Sequence, residues 1–212
     1  MVYHGAVSAR FNFHRGSPAL DFVGTLGGRA FVPEERLPDP AALDAWIREA
    51  GLVDGRTHAT AAHLRAARAL RESTAVVFAA LAARTAVPRA EVAALNEAAR
   101  ASALATPALA GRQLHVRWSS DRPVDAALGR IAADAIDVVA TRRERLVRCE
   151  RDGCGALLLS ASRGAPRRWC SMETCGNVAK VAAHRARVRA AAAKDGATGG
   201  AAPPTRRRTI GR

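Results

Sequence analysis

Apolar positions recur at helical spacing through the first two thirds of this chain. In "LPDPAALDAWIREAGL" the residues Leu43, Trp46 and Ile47 share one face. Asp39 supplies a side-chain cap, Pro40 suits a first helical position and Gly51 ends the segment, which predicts a short amphipathic helix. A longer helix is predicted over roughly 58–84, where Leu64, Ala67, Leu70, Val77, Phe78 and Leu81 recur, and a third from Pro88 to about Ser102. Pro107 and Gly111 then break the pattern, while Leu114, Val116 and Trp118 alternate as a strand does, so a small hairpin is expected. Helical spacing returns in "VDAALGRIAADAIDVVAT" through Leu128, Ile131, Ala135 and Val138, and closes near Thr141. Ahead of all these lies an apolar opening, "PALDFVGTLGG", punctuated by Gly24, Gly27 and Gly28 as turn signals.

The last third reads differently. After Cys175, "GNVAKVAAHRARVRAAAAK" has many alanines and no proline, which predicts a helix from about Asn177 to Lys194. From Gly196 onward, "GATGGAAPPTRRRTIGR" is too small and polar to bury a core, and a flexible basic tail is expected over 195–212. No repeat appears at the periods of solenoids or propellers. The fold class expected is mainly α with a small β-hairpin (α+β). A mostly helical domain covers 1–141, and a small module ending in a basic helix covers 142–194.

Charge sharpens that division. Residues 1–140 hold 16 Lys/Arg against 14 Asp/Glu, whereas 141–212 hold 17 against 5. The second part therefore suits a polyanionic partner, nucleic acid or an anionic membrane surface, unless its arginines are only a solvated tail shaped by coding bias. No run of about 18 apolar residues exists, and the start of the chain lacks the order of a signal peptide, so no membrane partner and a cytoplasmic location are expected.

All four cysteines fall within 27 residues, as Cys149-x4-Cys154-x15-Cys170-x4-Cys175. Two close pairs separated by a spacer suit a tetrahedral site for Zn2+, each pair wrapping one edge. Gly153 and Gly155 flank the second cysteine and Gly176 follows the fourth, which eases tight turns about a metal. A disulfide or free reactive thiols are the alternatives. Arg148, Arg151, Arg167 and Arg168 would favour thiolates for metal binding and redox chemistry alike.

"CERDGCGALLLSASRGAPRRWCSMETCGNVAKVAAHRARVRA" resembles the CGNR-type zinc finger family in its two cysteine pairs, "SR", "RRWCSM", "CGN" and the basic helix. "SPALDFVGTL" and the helical region after it resemble the ABATE domain, found with that finger in stress-induced transcription regulators of bacteria. The resemblance implies a zinc-binding, DNA-binding C-terminal module joined to a helical domain. Three positions depart from the family pattern: Val178 stands where the family has Arg, Ser160 where Asp is usual, and Gly24 where Asn is usual. The four cysteines are untouched by these changes.

On a helix, Lys180, His184 and Arg187 share one face and Arg185 and Arg189 another, with Val181 and Val188 between them. Such a helix can lie on phosphates or enter a major groove. The nucleic-acid contacts expected are Arg163, Arg167, Arg168, Asn177, Lys180, Arg185, Arg187 and Arg189. Asn177 could instead cap the helix, and Trp169 is expected to roof the metal site. The function expected is a transcription regulator that binds double-stranded DNA, its helical domain sensing an effector or forming a homodimer. An RNA- or ribosome-binding zinc module is the alternative, although Tyr3 is the only tyrosine and base-stacking platforms need aromatics. Catalysis is not expected, since His58 and His63 do not share a close helical face and no HExxH, GxSxG, GxGxxG or P-loop occurs.

Overall fold

A computed structural model of the chain describes residues 11–112, 114–160 and 167–198. Among them, six helices and three antiparallel strand pairs follow one another. Helix α1 spans Pro18–Val23, and strands β1 (Leu26–Gly27) and β2 (Glu34–Glu35) pair behind it. Next come α2 (Pro40–Glu49), α3 (Ala61–Ala82) and α4 (Arg89–Ala99), the last running into a 3-10 turn that ends at Leu104. The hairpin of β3 (Thr106–Ala110) and β4 (His115–Ser119) leads to α5 (Pro123–Arg142). Strands β5 (Leu146–Arg148) and β6 (Leu157–Leu159), a π-helical turn at Met172–Gly176 and α6 (Asn177–Thr198) complete the order.

Local chemistry explains most of these boundaries. Asp39 accepts a hydrogen bond from the Ala42 amide at 2.7 Å, with Pro40 opening α2. Ser17 and Pro18 repeat that pairing at α1, where Ser17 Oγ accepts from the Leu20 amide at 3.3 Å. Six residues are too few to show a helical period, and the Ser-Pro pair is the sign that betrays α1. Thr60 and His63 cap α3 reciprocally.

Helices α1 to α5 form one core, in which α5 packs against α1, α3, α4 and the 3-10 turn. Trp46 of α2 is fully buried between Phe13 and Phe22, its ring centroid 5.9 and 5.0 Å from theirs. Asp21 and Arg71 are the buried charged side chains among the described residues. Arg71 of α3, only 3 % exposed, donates to both carboxylate oxygens of Glu35 at 2.7 Å, to Glu72 Oε1 at 2.9 Å and to Thr25 Oγ1 at 3.2 Å. Burial acts to raise Glu35, yet the Arg71 guanidinium holds it below its ordinary value.

Four features differ from expectation. Helix α1 stands where only an apolar opening with turn signals was expected. Two further strand pairs accompany the expected hairpin, because strands of two or three residues are too short to display alternation. Helix α4 ends at Ala99 and tightens into the 3-10 turn where a helix to Ser102 was expected. Helix α6 continues through Gly196 to Thr198 rather than stopping at Lys194, since one glycine costs only about 1 kcal/mol in a helix. The rest of the expected tail, 199–212, and Arg163 lie outside the described residues.

The β5–β6 hairpin has two faces. Leu146, Leu157 and Leu159 are buried in the helical core, while Leu158 turns the other way and packs with Cys149 and Cys175. An extended segment over 11–16 lies between the two. Its Phe11 and Phe13 enter the helical core, and its Arg15 carbonyl accepts the Leu159 amide at 2.8 Å.

Candidate metal centre and the basic helix

Cys149 follows β5 directly, and its amide donates to the Ala156 carbonyl at 2.7 Å, closing a tight knuckle. Within that knuckle Gly153 and Gly155 hold φ of 74° and 64°, left-handed values that residues with a Cβ avoid. These two turns carry Cys154 back toward Cys149. The Cys170 amide donates to Cys149 Sγ at 3.4 Å. Cys175 sits in the π-helical turn, which Ser171 caps and which delivers the chain into α6.

The four ligand atoms lie within 4.8 Å of one another. Cys154 Sγ is 3.7 Å from Cys170 Sγ, Cys170 Sγ is 3.3 Å from Cys175 Sγ, and Cys175 Sγ is 3.6 Å from Cys154 Sγ. Tetrahedral sulfur ligands at about 2.3 Å from a zinc ion would stand about 3.8 Å apart. All four thiols are free, and Cys149 and Cys175 are buried. Burial, then the hydrogen bond with Cys175, then the charges of Cys154, Cys149 and Cys175, push the Cys170 thiol well above its ordinary value. Four thiols so crowded cannot all ionise beside one another without a cation among them. The donor set therefore fits a thiophilic metal.

Leu158 and Trp169 pack against the cysteines, so Trp169 covers the site as expected. Arg168 stands over the Trp169 ring at 4.8 Å from its centroid and pairs with Glu150 at 2.5 Å. Arg167 is committed inward. Its guanidinium donates to the carbonyls of Trp169 at 2.9 Å and His14 at 2.8 Å and makes a short contact to that of Cys170, while its amide donates to Ser160 Oγ at 3.0 Å. The sequence motif could not reveal this, because His14 lies far away along the chain.

Helix α6 leaves the cluster as an exposed rod. Lys180, His184, Arg185, Arg187 and Arg189 are all exposed, as are Val178, Val181 and Val188. Asn177 opens the helix, and its side-chain amide donates back to the Glu173 carbonyl at 3.1 Å. Val178, one helical repeat of seven ahead of Arg185, has a second setting. It lines a cavity of about 480 Å³ with Ala179, Ala182, Glu150, Asp152 and the 82 % exposed Phe31.

Residues 16–142 match the ABATE family, described as "Putative stress-induced transcription regulator", and residues 145–188 match the CGNR zinc finger. No curated protein matches the chain. Neither family description is that of an enzyme. Among the described residues, no helix is long and apolar enough to cross a membrane.

Proposed function

The chain belongs to the ABATE family and carries a CGNR zinc finger behind its ABATE region, and from that premise we propose that it regulates transcription by binding duplex DNA through α6. The observation that carries this reading is the basic helix itself. It springs from the cysteine cluster, stays exposed on every face from Lys180 through Ala191, and presents Lys180 and Arg187 on one edge and Arg185 and Arg189 on another. A helix of 22 residues is about 33 Å long, and its width matches a major groove. Arg168 would add a phosphate contact by exchanging Glu150 for a phosphate oxygen, whereas Arg167 would serve the site from inside.

Zinc is the metal we assign to Cys149, Cys154, Cys170 and Cys175. When bound it supplies structural cross-linking: about 10–16 kcal/mol of apparent binding energy, available to order a module with a small core. The cysteines hold it, Leu158 and Trp169 exclude water from it, and the π-helical turn aims α6 away from it. The nearly neutral helical part is the half that senses an effector or dimerises in this reading.

Selection from a random duplex DNA pool by the zinc-loaded protein tests the proposal. Enrichment of one motif is expected, with log affinity falling against log salt at a slope of about −4 for four or five neutralised phosphates. Absence of duplex binding, or binding without salt dependence, would remove α6 from any role on DNA. Preference for an RNA pool would move the function to an RNA-binding module.

A further inference from the structure

Arg15 belongs to the extended segment ahead of α1, yet it shares a cavity of about 120 Å³ with Cys154 and Cys170. Its backbone is fixed on both sides: the amide donates to Asp21 Oδ1 at 2.8 Å, and the carbonyl accepts the Leu159 amide at 2.8 Å. Its Nη1 donates to the Leu157 carbonyl at 3.3 Å, and its Nε is buried with no hydrogen-bond partner among the described residues. The other arginines lining that cavity are taken, Arg29 by Glu72 and Arg36 by Glu34 at 3.1 Å. Burial holds the Arg15 guanidinium below its ordinary value. Cys170 opposes that effect most strongly, then Asp21 and Cys154.

Gly24 makes this placement available. A Cβ at position 24 would lie 2.3 Å from Arg15 Nε and 2.9 Å from Cζ. The backbone there is ordinary right-handed helix, φ −69° and ψ −9°, so the demand for glycine comes from the guanidinium alone. A divalent metal held by four thiolates keeps a net charge of about −2, which is costly to bury unless a cation stands beside it.

We infer that Arg15, seated against Gly24, is the counter-charge of the tetrathiolate metal centre, and that through it metal occupancy tightens the 11–16 segment, which packs on the helical core and pairs with β6 of the finger. This role rests on the metal assignment above. Outer partners of metal ligands typically change affinity 10- to 100-fold. Coupling is reciprocal: whatever Arg15 gives to metal affinity, the metal returns to the order of the Arg15 segment.

Cobalt(II) titration of the full chain, with a competing chelator, provides the test. The parent is expected to show the visible bands of a tetrathiolate cobalt site. R15Q and G24A should each weaken cobalt about tenfold or more, the second without removing any charge, while R15K should stay nearer the parent. Hydrogen exchange at the Arg15 and Leu159 amides should slow on metal binding in the parent and lose that response in R15Q. An Arg15 that only braces the fold would destabilise apo and loaded forms alike and leave the metal-dependent difference intact, which would overturn the inference. R15Q and G24A within twofold of the parent would overturn it too and leave the metal assignment standing. A parent without the tetrathiolate bands would remove the metal assignment and this role together.

Discussion

Leu158 and Leu159 are neighbours on β6 that serve two different cores. Leu159 is buried among the helices, whereas Leu158, fully buried, packs against Cys149 and Cys175. The pleat of one short strand thus joins the cysteine cluster to the helical core back to back.

Truncating each leucine should separate the two. Leu159→Ala is expected to lower the melting temperature of the whole protein, with a cost of about 2–5 kcal/mol for an uncollapsed cavity. Leu158→Ala should weaken metal retention against a chelator more than it lowers the helical melt. Circular dichroism melts with parallel chelator competition would check this, and identical profiles for both variants would contradict the two-core arrangement.

Fragments ending on either side of the hairpin should differ in stability. Residues 11–160 keep Leu146, Leu157 and Leu159 over the helices, and each buried leucine contributes about 1.5–3 kcal/mol. Residues 11–142 lack all three and should melt at a clearly lower temperature. Equal melts would mean that the hairpin face adds nothing to the helical core.

Acid should loosen the helical part through its buried ion group. Burial acts to raise Glu35 and Glu72, but Arg71 holds Glu35 below its ordinary 4.5, and Arg29 first and then Arg71 hold Glu72 below it. Because the unfolded chain takes up those protons more readily, their contribution is complete above about pH 4.5 and is lost as pH falls through and below that value. Glu35→Gln should flatten this acid limb in denaturant titrations at several pH values. It should also cost about 3 kcal/mol at neutral pH, because the nearly inaccessible Arg71 loses its principal partner. An unchanged acid limb would exonerate the group.

Two arginines of the C-terminal module should behave oppositely. Arg185→Ala, on the exposed helix, should leave stability within about 0.5 kcal/mol of the parent and reduce the magnitude of the salt slope by about one. Arg167→Ala removes donors to the His14, Trp169 and Cys170 carbonyls, so it should lower thermal stability and metal retention with the slope unchanged. Paired melts and salt titrations would distinguish them.

Helices α2 to α5, the β3–β4 hairpin, the cysteine cluster and the basic final helix were legible in the sequence, whereas α1 was not. Each is written within a short window: a cap such as Asp39-Pro40, an apolar stripe such as Leu64, Ala67 and Leu70, or four cysteines in 27 residues. Hydrogen bonding between near neighbours and side-chain period determine these features, and neither needs a distant partner. Tertiary structure alone decided what each buried face meets. The run "LLL" over 157–159 reads as apolar, but only the pairing of β6 with β5 divides it between two cores. Arg167 and Arg15 read as two more basic residues, yet the first binds the His14 carbonyl and the second lies beside Cys154 and Cys170, more than 130 residues away in each case. A sequence window carries charge and periodicity. It does not carry the long-range backbone pairing that brought a guanidinium, a glycine and the cysteine cluster into one cavity.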